Sequence, residues 1–162
     1  MSACRRANAS DIPALVRLIN RAYAVEAFFC VGDRTDPVEV RELLEAGDFF
    51  VLHDDATASD AAPVGCVYVA ARPDARAYLG LLSVDPDAQK LGVGKKLVGV
   101  AEEHARGLGA RYMELHVVDV RPELPTWYGR LGYELTGEVP VPENKTQRFT
   151  RPIRFLRMEK TL

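Results

Sequence analysis

Between Gln89 and Lys95 the chain reads Gln-Lys-Leu-Gly-Val-Gly-Lys, residue types and spacing suited to holding an anion. The segment lies between a strand pattern and a long helical pattern, where successive backbone N–H groups and the positive end of a helix can hold a phosphate. Gly92 and Gly94 matter because a side chain at either would keep a phosphate off the backbone, while Lys90, Lys95 and Lys96 add positive charge around it. Two other phosphate motifs fail on the residues. A Walker loop needs glycine where Gln89 stands and Ser or Thr where Lys96 stands, and the dinucleotide fingerprint needs Gly or Ala at Leu97.

The elements that must position this loop follow from periodicity. Ser10-Asp11 is a good N-cap for a first helix, with Ile12, Leu15, Val16, Ile19, Ala22 and Tyr23 at helical spacing up to about Ala27. A loop with Gly32, Asp33 and Pro37 leads to a second, short helix through Val40, Leu43 and Leu44, ending at Gly47. Strands are predicted at Phe49–His53, Val64–Arg72 and Ala77–Val84, the first two joined across an Asp-Ala-Ser-rich stretch, 54–63, to give an antiparallel meander. Leu97, Val98, Ala101, Ala105 and Leu108 form one stripe of a helix from Gly92 to Leu108, capped by Gly109. A strand follows at Tyr112–Val118, so 77–118 is a strand–helix–strand crossover and its two strands should be parallel. On that strand Met113, Leu115 and Val117 share one face, and Glu114 and His116 the other. A short helix around Pro125–Leu131, a strand from Tyr133, a Pro-rich loop at 140–152 and a strand at Ile153–Glu159 complete an α/β mixed-sheet sandwich, read as one domain over 1–162.

Composition bounds the function classes. With 162 residues, 48% apolar and 27% charged, the chain is an ordinary globular one. Its apolar runs fall short of the roughly 18 residues of a membrane span, and Met1-Ser2-Ala3-Cys4-Arg5-Arg6 lacks the apolar core of a signal peptide, so a cytoplasmic protein is expected. Cys4, Cys30 and Cys66 are far apart and unaccompanied by a His cluster, which points to neither zinc nor a disulfide framework. Residues 140–162 carry six basic side chains against two acidic ones, a local net charge of +4 in a chain of −2. The charges are spaced, with no aromatic platform repeated among them, so an anionic ligand or plain solvation is favoured over nucleic acid.

Gln-x-x-Gly-x-Gly behind a Val-Asp-Pro strand end, in LLSVDPDAQKLGVGKKLV, resembles the acetyl-CoA signature of the GNAT acyltransferase superfamily. Downstream, WYGRLGYELTGE is similar to that superfamily's Tyr-x-x-x-Gly-Phe/Tyr segment, and the order of elements extends the likeness over most of the chain. Residues 24–76 match by pattern rather than by motif. The resemblance implies a GNAT-like mixed central sheet with a V-shaped splay between two parallel strands, flanked by about four helices. It also implies acetyl-CoA as acyl-donor substrate and no metal. Leu82 and Val84 would pair through their backbones with the pantetheine arm at a β-bulge; Gln89, Lys90, Leu91, Gly92, Val93, Gly94 and Lys95 would cradle the pyrophosphate. A slip of the apolar phase from Leu79 and Leu81 to Leu82 and Val84 is what such a bulge would produce.

The same resemblance puts Tyr128 in the position of the general acid. A phenol holds its proton to about pH 10, so it stays protonated at neutral pH and can hydrogen-bond, and then give a proton, to the sulfur as negative charge develops on it. His116 stands 12 positions before Tyr128, where acetyltransferases of ribosomal-protein N-termini place a catalytic Glu. An imidazole could take an ammonium proton directly or through water, with Glu26 as the alternative base. Arg121-Pro122 departs from the Asn that many relatives have before the Tyr helix, and acceptor choice should reside in loops 28–37 and 138–152. The function expected is acetyl transfer from acetyl-CoA to a small-molecule or peptide amine by direct attack in a ternary complex. The alternative is a non-catalytic acyl-CoA-binding module of the same fold. A monomer or homodimer with no nucleic-acid or membrane partner is expected.

Overall fold

The computed structural model of the chain describes residues 3–54, 61–89 and 91–162; part of the 54–63 connection and Lys90 lie outside them. Seven strands form one mixed sheet: β1 (Ala3–Arg6), β2 (Asp48–His53), β3 (Gly65–Arg72), β4 (Arg76–Val84), β5 (Tyr112–Val118), β6 (Glu134–Val139) and β7 (Phe155–Thr161), in the spatial order β1-β2-β3-β4-β5-β7-β6. Four α-helices of the described residues flank it: α1 (Ile12–Tyr23), α2 (Pro37–Ala46), α3 (Val93–Gly107) and α4 (Glu123–Arg130). The architecture is the mixed α/β one expected.

The chain crosses the sheet so that each face is covered by helices with an apolar stripe. Leu15, Leu18 and Ile19 of α1 pack with Val40 of α2 on Phe49, Val51, Cys66 and Tyr68. On the opposite face Leu97, Val98, Ala101 and Ala105 of α3 pack on Val67, Val69, Leu79, Met113 and Leu115. Central strand β3 is buried on both sides from Gly65 to Ala70, which is why its sequence reads as an unbroken apolar run.

Local chemistry explains where elements begin. The first turn starts at Asn8 rather than at Ser10-Asp11: the Asn8 side chain accepts from the Ser10 N–H, and Asp11 accepts from the Asn8 N–H at 2.8 Å, a reciprocal capping box. The expected extension of α1 to Ala27 is a tighter 3₁₀ segment, Ala24–Phe28, so Glu26 sits on a tight turn beyond the α-helix. Asp36 caps α2 through the Glu39 N–H at 2.8 Å, with Pro37 at the first helical position. Helix α3 begins behind Gly92, whose φ of +76° is the left-handed conformation that glycine adopts without strain.

Candidate active site

Strands β4 and β5 are parallel, as the crossover requires, but they pair over three residues, Arg76–Tyr78 against Tyr112–Glu114. Beyond this point β5 follows β7 through Val118, while Leu79–Val84 of β4 have no ladder partner on the β5 side. The cause lies in β4. Val67 of β3 stands opposite both Leu81 and Leu82, because the register jumps from Tyr68↔Gly80 to Cys66↔Ser83, and Leu81 takes up the extra residue with φ +48°. The bulge falls at the phase slip between Leu81 and Leu82. Its result is a V-shaped opening whose β4 edge presents Leu82 and Val84 to a cavity of about 750 Å³, within the range of small-molecule sites.

One end of this cavity is closed by the start of α3. Gln89, Gly92, Val93, Gly94 and Lys95 line it, whereas the Leu91 side chain is 72% exposed and faces away, leaving its backbone as its means of contact. Lys90 lies outside the described residues. The two glycines differ in what they require. A Cβ at Gly92 would meet nothing within 4 Å; a Cβ at Gly94 would lie 3.3 Å from Trp127 Cζ2 and 3.7 Å from Val84 Cγ2. Gly94 therefore borders a narrow place between the end of β4 and the indole of α4, and the exposed N–H groups of the first helical turn open there. These features fit a pyrophosphate and its pantetheine arm.

Tyr128, on α4, lines the cavity, 7% exposed, and its hydroxyl has no hydrogen-bond partner among the described residues. Burial first, then the neighbouring phenols of Tyr23 and Tyr78, raise its pKa well above the ordinary value, with Arg121 opposing. The proton stays on the oxygen. His116 lines the same cavity, its Nε2 lies 2.8 Å from Glu114 Oε2, and the Tyr78 ring packs 5.2 Å away. A carboxylate at Glu114 fixes the imidazole proton on Nε2 and leaves Nδ1 as the accepting nitrogen. Glu26 also lines the cavity, but its carboxylate is bound at 3.0 Å by Arg121, which simultaneously holds Glu123. To act as a base, Glu26 would have to give up part of that ion pair.

Loops 28–37 and 138–152 meet along another part of the cavity wall. Val31 N–H donates to the Arg148 carbonyl at 2.8 Å, Thr150 N–H to the Phe29 carbonyl at 2.9 Å, and Cys30 bridges Phe149. This wall brings Arg34, Lys145 and Arg148 to the cavity. A smaller space of about 230 Å³ continues past Tyr128 and His116, lined by Arg34, Lys145 and Pro142. Among the described residues no group of three or more His, Cys, Asp and Glu side chains could hold a metal ion, and no helix is long and apolar enough to cross a membrane.

A family model described as the acetyltransferase (GNAT) family matches residues 14–133. The chain belongs to the GNAT acetyltransferase family. Two solved structures share the fold of this GNAT chain. The ribosomal-protein-alanine N-acetyltransferase of Brucella melitensis superposes with a TM-score of 0.75, at 22% identity, covering 99% of each chain. An Escherichia coli N-acetyltransferase for a ribosomal-protein alanine gives 0.77 at 17% identity, over 99% of this chain and 94% of that one. A mycothiol acetyltransferase of Geodermatophilus obscurus is 39% identical over 61 residues, 38% of this chain and 20% of that protein. The match thus spans a fifth of the length of that relative.

Of the residues read from sequence, the GNAT fold brings Leu82, Val84, Gln89, Gly92, Val93, Gly94, Lys95, His116, Glu26 and Tyr128 to one cavity. Sequence reading missed Trp127 as a wall of the cradle, although it adjoins Tyr128 in the same motif. It also missed the Arg121–Glu26 pair, which joins residues 95 positions apart.

Proposed function

We propose that this GNAT protein transfers an acetyl group from acetyl-CoA to an amine by direct attack in a ternary complex. The observation that carries the reading is the splay: the unpaired β4 edge and the α3 cradle line the same cavity as a buried Tyr128 whose hydroxyl has no hydrogen-bond partner among the described residues. Free backbone groups at Leu82 and Val84 would hold the amide-bearing pantetheine arm, and the first-turn N–H groups at Val93–Lys95 the pyrophosphate. The thioester carbonyl then lies near Tyr128, and the acceptor comes in from the side of loops 28–37 and 138–152.

The acceptor nitrogen forms the C–N bond as the C–S bond breaks. Tyr128 gives its proton to the departing sulfur; burial keeps the phenol protonated until negative charge develops there. His116, oriented by Glu114, takes the proton that the amine loses. Thiol release from acetyl-CoA, scored over amino acids, polyamines, aminoglycosides and peptide N-termini, tests the reading. Turnover with one acceptor class supports it; tight CoA binding without transfer to any amine would leave a non-catalytic acyl-CoA-binding module.

A further inference from the structure

The acceptor end of the cavity is cationic in a way the transfer chemistry does not demand. Arg34, Lys145 and Arg148 line it, and the smaller space past His116 has Arg34 and Lys145 on its walls with no Asp or Glu among the residues that line it. The larger cavity has two acidic lining residues, Glu26 and Glu123, and Arg121 binds both at 3.0 Å. Among the described residues no carboxylate lies within salt-bridge distance of Lys145 or Arg148, Glu39 acting on Lys145 only from farther away; Arg148 donates to the Arg34 carbonyl at 3.4 Å. Arg34 is weakly served. Its nearest carboxylate, Glu39, is 3.7 Å away and already accepts from Thr35 Oγ1 at 2.7 Å, and one terminal guanidinium nitrogen is buried without a hydrogen-bond acceptor.

We infer, building on the acetyl-transfer reading above, that the acceptor is an amine carrying an anionic group, a carboxylate or a phosphate, which Arg34, Lys145 and Arg148 bind. Two consequences of the geometry support this. Burial and the adjacent Arg34 push the Lys145 ammonium toward its neutral form, so the site holds positive charge at a cost that an anion would relieve. The same field opposes a second ammonium, which disfavours polycationic acceptors and favours the neutral, nucleophilic form of an amine delivered there. Phe149 and Phe155, which line the cavity beside the cations with ring centroids 6.1 Å apart, supply contact for a short carbon skeleton between the two functional groups.

Matched acceptors test the inference. Amino acids are compared with their primary amides, and O-phosphoethanolamine with ethanolamine, by thiol release from acetyl-CoA. The anionic member of at least one pair should exceed its neutral partner in kcat/KM by about tenfold or more, and which pair responds separates carboxylate from phosphate. Arg148→Gln and Lys145→Gln should each shrink that ratio by raising acceptor KM, Arg148→Lys should restore part of it, and the Kd for CoA should stay unchanged in all three. Equal or better turnover of neutral amines or polyamines would overturn the inference, as would an equal loss of CoA affinity in these variants. If no acceptor is turned over, the transfer reading fails separately. N-acetyl amino acids and their amides titrated into the CoA-bound protein still decide the point, because a carboxylate that adds no affinity refutes an anion site.

Discussion

Gly92 and Gly94 offer a test in which stability and ligand binding move separately. Gly92 precedes α3 with φ +76°, and a methyl there would meet nothing within 4 Å, so Gly92→Ala costs only the left-handed strain of an L-residue. That strain is on the order of 1 kcal/mol, or about 2–4 °C in Tm for a chain of this size. Gly94 is inside the helix, where alanine gains up to about 1 kcal/mol in propensity. Against that gain, its methyl would stand 3.3 Å from the Trp127 ring, close enough that the indole must shift by a few tenths of an ångström. The two effects nearly cancel, and Gly94→Ala should melt within about 2 °C of the parent. The methyl would, however, project into the narrow place between Val84 and Trp127 where the pyrophosphate end of CoA is proposed to sit. Its expected effect on binding is a Kd raised about tenfold, equivalent to about 1.4 kcal/mol, whereas Gly92→Ala should stay within about threefold. Differential scanning fluorimetry gives the first quantity and isothermal titration with CoA the second. A Gly94→Ala protein with parental Tm and parental CoA affinity would refute the placement of the cradle. Larger residues make a poorer test, since Gly94→Leu would displace Trp127 as well.

Four further outcomes are expected. Tyr128→Phe should lower kcat by about 10²–10³-fold with little change in KM, measured by thiol release, because the hydroxyl has no hydrogen-bond partner among the described residues to lose and a positioned acid contributes about that much. His116→Ala should lower kcat/KM, most for the more basic amines, with the Kd for CoA unchanged; undiminished turnover of those amines in His116→Ala would pass the base role to Glu26 or water. Glu102 is buried and binds both Lys160 Nζ, at 2.9 Å, and Tyr133 Oη, at 3.1 Å, so Glu102→Ala should cost about 2–3 kcal/mol and lower Tm by roughly 5–10 °C without altering CoA binding. Asp11 is held below the usual carboxylate range by its hydrogen bonds to Arg5, with the Asn8 N–H helping, so its stabilisation is complete above the ordinary Asp range and is lost as pH falls through the lower folded value. Thermal melts between pH 5 and 2.5 should therefore fall less steeply for Arg5→Ala than for the parent.

What sequence made legible were features whose partners lie close along the chain. The cradle occupies consecutive residues, and the bulge announces itself as a slipped apolar phase because Leu81 and Leu82 share one opposing residue, Val67. The alternation of β5 likewise put Glu114 and His116 on one face, two residues apart and within one hydrogen bond. Periodicity states which face a residue occupies and leaves open what meets it there. The C-terminal segment makes the point. In sequence, residues 140–162 are a single basic stretch of net +4, and nothing distinguishes one charge from another. The fold divides them by partner: Arg154 goes to Asp119 and Glu138, Arg157 to Glu159, Lys160 to Glu102, and Arg151 lies over the Phe28 ring. Arg157 and Glu159 are neighbours on one face of β7, whereas the Arg154 and Lys160 pairings join distant segments and depend on where the sheet places β7, between β5 and β6. Lys145 and Arg148 precede β7, on a loop that docks on residues 29–34 more than a hundred positions away, and so escape neutralisation. A charge left unpaired by the fold, rather than the charge density of the segment, is what a ligand can use, and that distinction exists only once folding has given Arg154, Arg157 and Lys160 their carboxylates and Arg151 an aromatic face.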